Sequence, residues 1–259
     1  MWFFIIFAVL LLLASIHVFF QDKFIFQGAY LKQDHTYVFE YDFTEHFIEV
    51  EPGIKLNALW FKPDSASRGL ILYFHGNAGN LDRWAEVAVD FIPRNYELFI
   101  IDYRGYGKSN GTPTELNLYH DAERVYDWVQ QRTSAPIIIY GRSLGASIAA
   151  YLSSIVQPDL LFLETPFHEL RGVLSGLLFN VTRIFPLHYR FSTIDYLAKV
   201  KGKVIIFHGT KDFIVPLKSA ERLKGVLKST DEFIVIEGAN HDNINIYEIY
   251  DEKLTEILD

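Results

Sequence analysis

Beyond position 69, most apolar residues occur in short continuous runs that are separated by stretches with helical spacing. The runs lie at residues 70–74, 97–101, 137–140, 160–163, 204–207 and 233–236. Strands that are buried on both faces of a parallel sheet show this pattern. Helical spacing lies between most of the runs, at 82–91, 115–131, 144–154 and 217–227. The alternation predicts an α/β fold with a mostly parallel central sheet and helices on both faces.

Two shorter segments before these runs predict an antiparallel start to the sheet. Residues 47–50 and 56–61 alternate in polarity and flank the turn signal Glu51-Pro52-Gly53. Such a pair of runs around Pro and Gly is typical of a β-hairpin. The preceding residues 24–42 are mixed in polarity, and we interpret them as a connector.

The connection between the runs at 160–163 and 204–207 is too long for a simple crossover. It has about forty residues, whereas a loop in such a connection usually has about 2–6 residues in addition to one helix. It contains two helix-compatible stretches, 170–181 and 193–199, on either side of Pro186. We interpret this segment as a small helical lid, an insertion at about 165–202; an ordinary long connection is the alternative.

The beginning of the chain differs in composition from the rest. Residues 2–20 are nearly all apolar, and such a run approaches the roughly 20 residues that span a bilayer as a helix. We predict an uncleaved, single-pass membrane anchor at 1–23 and one domain at 24–259. A cleaved signal peptide is the alternative, but no basic residue precedes the run. Lys23 and Lys32 follow it, which favours a cytoplasmic domain under the positive-inside rule while leaving the side of the membrane open.

Composition removes several classes of function. With 24 basic and 32 acidic residues the formal net charge is −8, so we expect no nucleic-acid partner, because phosphate-backbone binding needs a basic face. The absence of cysteine excludes disulfides, thiolate zinc sites and Cys nucleophiles. No His/Glu cluster has metal-site spacing, so we expect no metal and no organic cofactor. Gly107-Lys108-Ser109 resembles the end of a phosphate-binding loop, but Asp102 stands where that loop needs a glycine.

The strongest local motif is Gly141-Arg142-Ser143-Leu144-Gly145, which follows a predicted strand and opens a predicted helix. This is the context of a nucleophile elbow, in which a serine on a tight strand-to-helix turn presents its hydroxyl above the sheet. The small residues on either side of the serine let the chain fold back without collision. We therefore predict Ser143 as a nucleophile.

A serine hydroxyl needs a base to take its proton, and position selects one histidine out of nine. His241 follows the run at 233–236, and Asp212 follows the run at 204–207. In this kind of sheet the triad partners lie after later strands, in the order Ser, acid, His. We predict His241 as the general base and Asp212 as the acid that orients it. His208 and Asp242 are the weaker competitors for these two roles.

The tetrahedral intermediate of such a reaction needs an oxyanion hole with two hydrogen-bond donors. The loop after the run at 70–74 contains Gly76 and Gly79, whose small size lets backbone amides face a ligand. We predict that the backbone N–H groups of Asn77 and Leu144 are the donors. His75, in the same loop, is interpreted as a structural contact.

These motifs together resemble those of the membrane-anchored α/β hydrolases that are similar to the fission-yeast Bem46 protein and to mammalian α/β-hydrolase domain proteins. The resemblance implies an α/β-hydrolase fold, an N-terminal membrane segment and hydrolase chemistry, but no particular substrate. Some relatives are thioesterases, and such domains are often grouped with serine aminopeptidases. The matching segments, within about residues 45–245, are His75-Gly76-Asn77-Ala78-Gly79-Asn80, Asp102-Tyr103-Arg104-Gly105-Tyr106-Gly107, Gly141-Arg142-Ser143-Leu144-Gly145, Glu164-Thr165-Pro166-Phe167, His208-Gly209-Thr210-Lys211-Asp212 and Gly238-Ala239-Asn240-His241.

The sequence thus predicts a serine hydrolase that cleaves an ester or thioester through an acyl-enzyme. The predicted anchor and the apolar lid candidates favour a lipophilic acyl substrate at a membrane. A serine peptidase is one alternative, and it would use Glu164 or Glu169 to hold a free amino terminus. A non-catalytic scaffold is the other, and the oligomeric state stays open. The lid candidates are Leu170, Val173, Leu174, Leu177 and Leu178.

Overall fold

The computed structural model describes Trp2, residues 21–177 and residues 188–258, with the side chains of 174–177 left outside the description. Within these residues no helix combines the length and the hydropathy that a bilayer crossing requires. The predicted anchor at 1–23 falls mainly on residues outside the description and therefore stays a prediction. The same holds for the predicted lid, because residues 178–187 are outside the description.

A sheet of eight strands forms the centre of the domain and confirms the predicted α/β fold. Its parallel part runs β10-β9-β8-β7-β4-β6, and β3 and β2 extend it as an antiparallel edge. The strands are β2 (Phe43–Glu51), β3 (Ile54–Phe61), β4 (Gly69–Phe74), β6 (Tyr96–Ile101), β7 (Ile137–Arg142), β8 (Leu160–Glu164), β9 (Lys203–Gly209) and β10 (Glu232–Ile236). Two short strands, β1 (Gln27–Gly28) and β5 (Ala78–Gly79), pair with each other in parallel outside this sheet.

The helices agree with the predicted stretches where the amphipathic pattern is long. Glu115–Gln130 and Leu144–Val156 are single α-helices. Two predicted helices are mixed α and 3₁₀ segments: Leu81–Trp84, Ala85–Val87 and Ala88–Phe91 in one case, and Leu217–Glu221 and Arg222–Val226 in the other. The long connection contains Leu170–Leu177 and Thr193–Leu197. Ile92–Arg94 and Ile244–Ile246 are further 3₁₀ turns, and residues 21–25 are helical.

The helix Glu248–Leu258 was not among the sequence predictions. It buries Tyr250, Leu254 and Leu258 against the apolar cluster that covers one face of the sheet. This face carries Tyr73 and Tyr140, whereas the nucleophile helix Leu144–Val156 packs on the other face. The apolar clusters on the two faces fix the strand ends, and these ends carry the candidate site.

Asp90 destabilises the face of the sheet that carries Tyr73 and Tyr140. Its Oδ2 atom is buried, and the described residues provide it with no hydrogen-bond partner. Burial, together with the nearby Glu164 carboxylate, raises the pKa of Asp90 from 3.8 to about 7. The folded protein therefore holds a proton that the unfolded chain releases at lower pH. Stability falls as pH rises between these two values, since Asp90 must then ionise in the fold.

We expect Asp90→Asn to raise the free energy of unfolding at pH 8 by about 1–2 kcal/mol, because a neutral amide avoids the buried charge. At pH 4 the effect should be close to zero. Urea unfolding at the two pH values measures the difference, with the exposed Asp64→Asn as the control. An equal gain at both pH values would contradict this origin.

Candidate active site

The candidate nucleophile lies on a sharp turn between β7 and the helix Leu144–Val156. Ser143 has φ 54° and ψ −114°, a conformation that non-glycine residues rarely adopt. Its backbone N–H donates to the carbonyl oxygen of Glu164 over 2.9 Å, which ties the turn to the end of β8. The residue is 7% exposed. A strained residue held at the end of a central strand is typical of a functional position.

The turn depends on the two glycines of the motif, as the sequence predicted. A Cβ at Gly145 would collide with the carbonyl oxygen of Phe74 at the end of β4. A Cβ at Gly141 would lie 2.5 Å from the Cβ of Ala149 and closer still to the carbonyl oxygen of Gly145. Only glycine therefore lets the helix start against the strand ends.

The structure brings Asp212 and His241 together. Asp212 follows β9, His241 follows β10, and the Oδ2 atom of Asp212 lies 2.8 Å from the Nδ1 atom of His241. The Oδ1 atom of the same carboxylate accepts the backbone N–H groups of Ile214 at 3.0 Å and Val215 at 2.8 Å. These two bonds fix the carboxylate, and the carboxylate in turn holds the imidazole with its proton on Nδ1. The Nε2 atom is then an acceptor for a serine proton.

The two weaker competitors have other contacts. His208 is completely buried, and its Nε2 atom lies 2.9 Å from the carbonyl oxygen of Val215 and 3.5 Å from the Asp212 carboxylate. Burial lowers the pKa of His208 and favours a neutral ring behind Asp212. Asp242 forms an ion pair of 2.9 Å with Arg83 and lies 3.5 Å from Arg142. His75 is also fully buried, stacked on Trp84, which agrees with a structural contact.

A cavity of about 340 Å³ lies beside four of the five predicted residues; we call it the Ser143 cavity. Ser143 and His241 both line it, as do the oxyanion candidates Asn77 and Leu144. Leu144 is the first residue of its helix, so its N–H has no acceptor within the helix. The remaining wall is mostly apolar and contains Phe24, Ile25, Phe167, Leu170, Val173, Ile214 and Val215.

Residues 24–31, which no sequence pattern placed near the site, cross the oxyanion loop; we call them the N-terminal strap. The N–H of Gln27 donates to the carbonyl oxygen of Asn77 over 3.0 Å, and the Asn77 side-chain amide donates to Ile25 over 3.2 Å. The hydroxyl of Tyr106 also donates to the Asn77 carbonyl, at 2.8 Å. Gln27–Gly28 and Ala78–Gly79 form the short parallel pair described above. The oxyanion loop is therefore held from both sides.

Arg142, the residue before the candidate nucleophile, is a second contact that the motif did not reveal. Its Nη2 atom donates to the backbone carbonyl of His241 over 2.8 Å. The guanidinium lies 3.3 Å from the buried carboxylate of Glu164, which also accepts the Tyr140 hydroxyl at 2.8 Å. Trp84 covers the guanidinium at 5.0 Å. One side chain thus connects the nucleophile turn to the histidine loop.

Comparisons with known proteins agree with this architecture. A family model described as serine aminopeptidase, S33, matches residues 65–185. Alpha/beta hydrolase domain-containing protein 17C of Xenopus tropicalis is 31% identical over 214 residues, which are 80% of this chain and 67% of that protein. An esterase from Pyrococcus furiosus has the same fold with a TM-score of 0.69 at 19% identity, over 90% of this chain and 97% of the other. An esterase from Exiguobacterium antarcticum has a TM-score of 0.64 at 18% identity, over 83% of this chain and 99% of the other.

The sheet order, the strand-to-helix turn at Ser143 and these likenesses define an α/β hydrolase. The chain belongs to the α/β-hydrolase family that includes α/β-hydrolase domain-containing protein 17C. The predicted family is therefore confirmed, and the catalytic roles of individual residues remain predictions.

Proposed function

We propose that this protein is a serine hydrolase that cleaves an ester or thioester of a lipophilic acyl group. The observation that carries the proposal is the 2.8 Å contact between Asp212 and His241. The same histidine lines one cavity together with Ser143. In acyl transfer, a carboxylate holds an imidazole, and the imidazole activates a serine hydroxyl.

In the proposed reaction, the Nε2 atom of His241 takes the Ser143 proton as the hydroxyl oxygen attacks the acyl carbonyl. The backbone N–H groups of Asn77 and Leu144 stabilise the oxyanion that develops. His241 then gives its proton to the leaving alcohol or thiol, and the acyl group stays on Ser143. Water, deprotonated by the same histidine, releases the carboxylic acid and restores the enzyme.

The wall of the Ser143 cavity supports a lipophilic acyl group as the substrate. Phe167, Leu170 and Val173 lie on one side, and Phe24 and Ile25 of the N-terminal strap also line it. Burial of each methylene group of an acyl chain contributes about 0.8 kcal/mol. The apolar residues 2–20 lead directly into this strap. We therefore also propose that residues 1–23 anchor the enzyme to a membrane that contains its substrate.

A peptidase that uses the same triad is the second candidate, since the matching family model is described as a serine aminopeptidase. Such an activity needs a carboxylate to hold the free amino terminus. Glu164 is 2% exposed and is occupied by Tyr140 and Arg142, while Glu169 pairs with Arg190 at 2.9 Å. These contacts favour an ester or thioester over a peptide. A scaffold without activity would leave the open cavity beside Ser143 without a role.

Labelling with a fluorophosphonate probe tests the proposal. We expect the detergent-solubilised full chain to react, Ser143→Ala to lose all labelling and His241→Ala to react much more slowly, because the probe needs an activated serine. Ser154→Ala is the matched control, since this serine lies on the same helix and its hydroxyl donates to the Tyr151 carbonyl, away from the Ser143 cavity. A folded wild-type protein that takes no label would refute the proposed function and favour a scaffold.

A further inference from the structure

A second cavity, of about 330 Å³, lies on the opposite side of the segment 167–173 from the Ser143 cavity; we call it the cationic pocket. The two cavities share this segment as a wall. Phe167, Leu170 and Val173 face the Ser143 cavity, whereas His168 and Arg171 line the cationic pocket. The two cavities also adjoin at two consecutive residues, because Val215 lines the Ser143 cavity and Pro216 lines the cationic pocket.

The charge of the cationic pocket is opposite to that of the chain. Lys218 and Arg222 line it, and among the described residues of its lining Glu169, which pairs with Arg190, is the one carboxylate. Within the described residues no carboxylate forms an ion pair with Lys218 or Arg222. The sequence of residues 178–187, outside the description, contains no Asp or Glu. In a chain with a net charge of −8, such a cluster attracts an anion locally.

Hydrogen bonds at the base of the pocket leave a donor for that anion. Arg222 contacts the Nε2 atom of His168 at 2.8 Å, and a guanidinium can only donate. The Nδ1 atom of His168 therefore carries the ring proton and donates it to the Ser219 hydroxyl oxygen at 2.9 Å. Burial and Arg222 lower the pKa of His168, so the ring stays neutral. Ser219 is 8% exposed, and its own hydroxyl proton has no acceptor among the described residues.

We propose that the cationic pocket binds a phosphate group, and that the phosphate belongs to the leaving group of the acyl substrate. Lys218 and Arg222 supply charge-assisted hydrogen bonds, and Ser219 supplies a neutral one. With the acyl chain in the Ser143 cavity, the leaving group would have to cross the shared wall, near Val215 and Pro216, to place its phosphate in the cationic pocket. This inference rests on the proposed function for the location of the acyl chain, whereas phosphate binding itself does not.

Direct binding of inorganic phosphate is the first test, measured by calorimetric titration of the full-length Ser143→Ala variant so that turnover plays no part. We expect saturable binding that weakens with added salt. Adding Lys218→Ala and Arg222→Gln should raise the dissociation constant at least about tenfold, since charged hydrogen bonds are lost. Lys224→Ala is the matched control, because this lysine pairs with Glu221 outside the pocket. Absence of binding to the parent protein would overturn the proposal.

The second test places the phosphate on the substrate. With active protein, we compare a palmitoyl coenzyme A thioester, which carries phosphates, with a palmitoyl thioester of N-acetylcysteamine, which carries none. Lys218→Ala with Arg222→Gln should raise KM about tenfold for the first only, and leave kcat unchanged. If the two substitutions changed KM by the same factor for both thioesters, the assignment of the phosphate to the leaving group would be overturned.

Vesicles distinguish the remaining source of phosphate. If the two substitutions leave the thioester kinetics unchanged but abolish the preference for vesicles with phosphatidic acid over neutral vesicles, the phosphate comes from lipid headgroups. That result would keep the pocket as a phosphate site and overturn its link to the leaving group. If the wild-type protein bound phosphate but took no fluorophosphonate label, the proposed function would be contradicted and the phosphate site would stand.

Discussion

Replacing Asp212 with Asn is expected to lower kcat by about 10⁴-fold while the protein stays folded. One carboxylate oxygen accepts two backbone N–H groups, from Ile214 and Val215, and the other faces the Nδ1 atom of His241. In the asparagine, the carbonyl oxygen must stay with the two backbone donors. The amide nitrogen then faces His241 and donates to Nδ1. The ring proton moves to Nε2, which can no longer accept the proton of Ser143.

The matched control for this prediction is Asp242→Asn, which removes a carboxylate beside His241 that pairs with Arg83 and has only a longer, 3.5 Å contact with Arg142. We expect its kcat to change less than about threefold, as for an exposed ion pair. Hydrolysis of a p-nitrophenyl octanoate ester gives the rates, and thermal unfolding shows whether each variant is folded. If Asp212→Asn lowered kcat by less than about tenfold, the proposed role of the carboxylate in setting the tautomer would be contradicted.

The parallel sheet could be predicted because its strands are buried on both faces. Each of the six predicted runs from 70–74 to 233–236 falls inside an observed strand, and its ends match the strand ends to within two residues. The strands are β4 and β6 to β10. Continuous apolar runs of this length indicate strands that helices cover on both faces. The order of candidate residues could be predicted for the same reason, because Asp212 and His241 directly follow strands whose ends meet at one edge.

Contacts that depend on tertiary structure alone could not be predicted. The helix Glu248–Leu258 has a mixed pattern, and it packs through Tyr250 against Phe207 and Tyr140, far away in sequence. The sequence motif gave Arg142 no role of its own. Its bond to the His241 carbonyl joins residues almost a hundred positions apart, for which the sequence carries no periodic signal.

The N-terminal strap is the largest part of the candidate site that sequence patterns did not reveal. Strands of two residues, such as Gln27–Gly28, are too short for alternation to be detected. The connector interpretation of residues 24–42 therefore placed them before the sheet and away from the chemistry. In the structure, Ile25 and Gln27 hold Asn77, one of the two predicted oxyanion donors. This contact makes the strap a positioning element for the proposed reaction.

Gly28→Ala tests this role, and we expect it to lower kcat by about tenfold to a hundredfold with little change in KM. A Cβ at Gly28 would lie 2.5 Å from the Cγ atom of Tyr106, so the buried ring must move. The Tyr106 hydroxyl bonds to the Asn77 carbonyl, and its displacement shifts the amide that stabilises the oxyanion. Loss of one such donor typically costs about 10²–10³ in kcat, and a displaced donor should cost less.

Two further variants separate positioning from general damage to the fold. Gly225→Ala is the matched control, because a Cβ there meets no atom within 4 Å, and we expect wild-type kinetics. Tyr106→Phe keeps the ring but removes the bond to Asn77, so it should lower kcat in the same direction as Gly28→Ala and without a large loss of thermal stability. If Gly28→Ala lowered the unfolding temperature but left kcat of the folded fraction intact, the strap would only stabilise the domain. A lower kcat in both Gly28→Ala and Tyr106→Phe would instead tie the segment after the predicted anchor directly to the chemistry at Ser143.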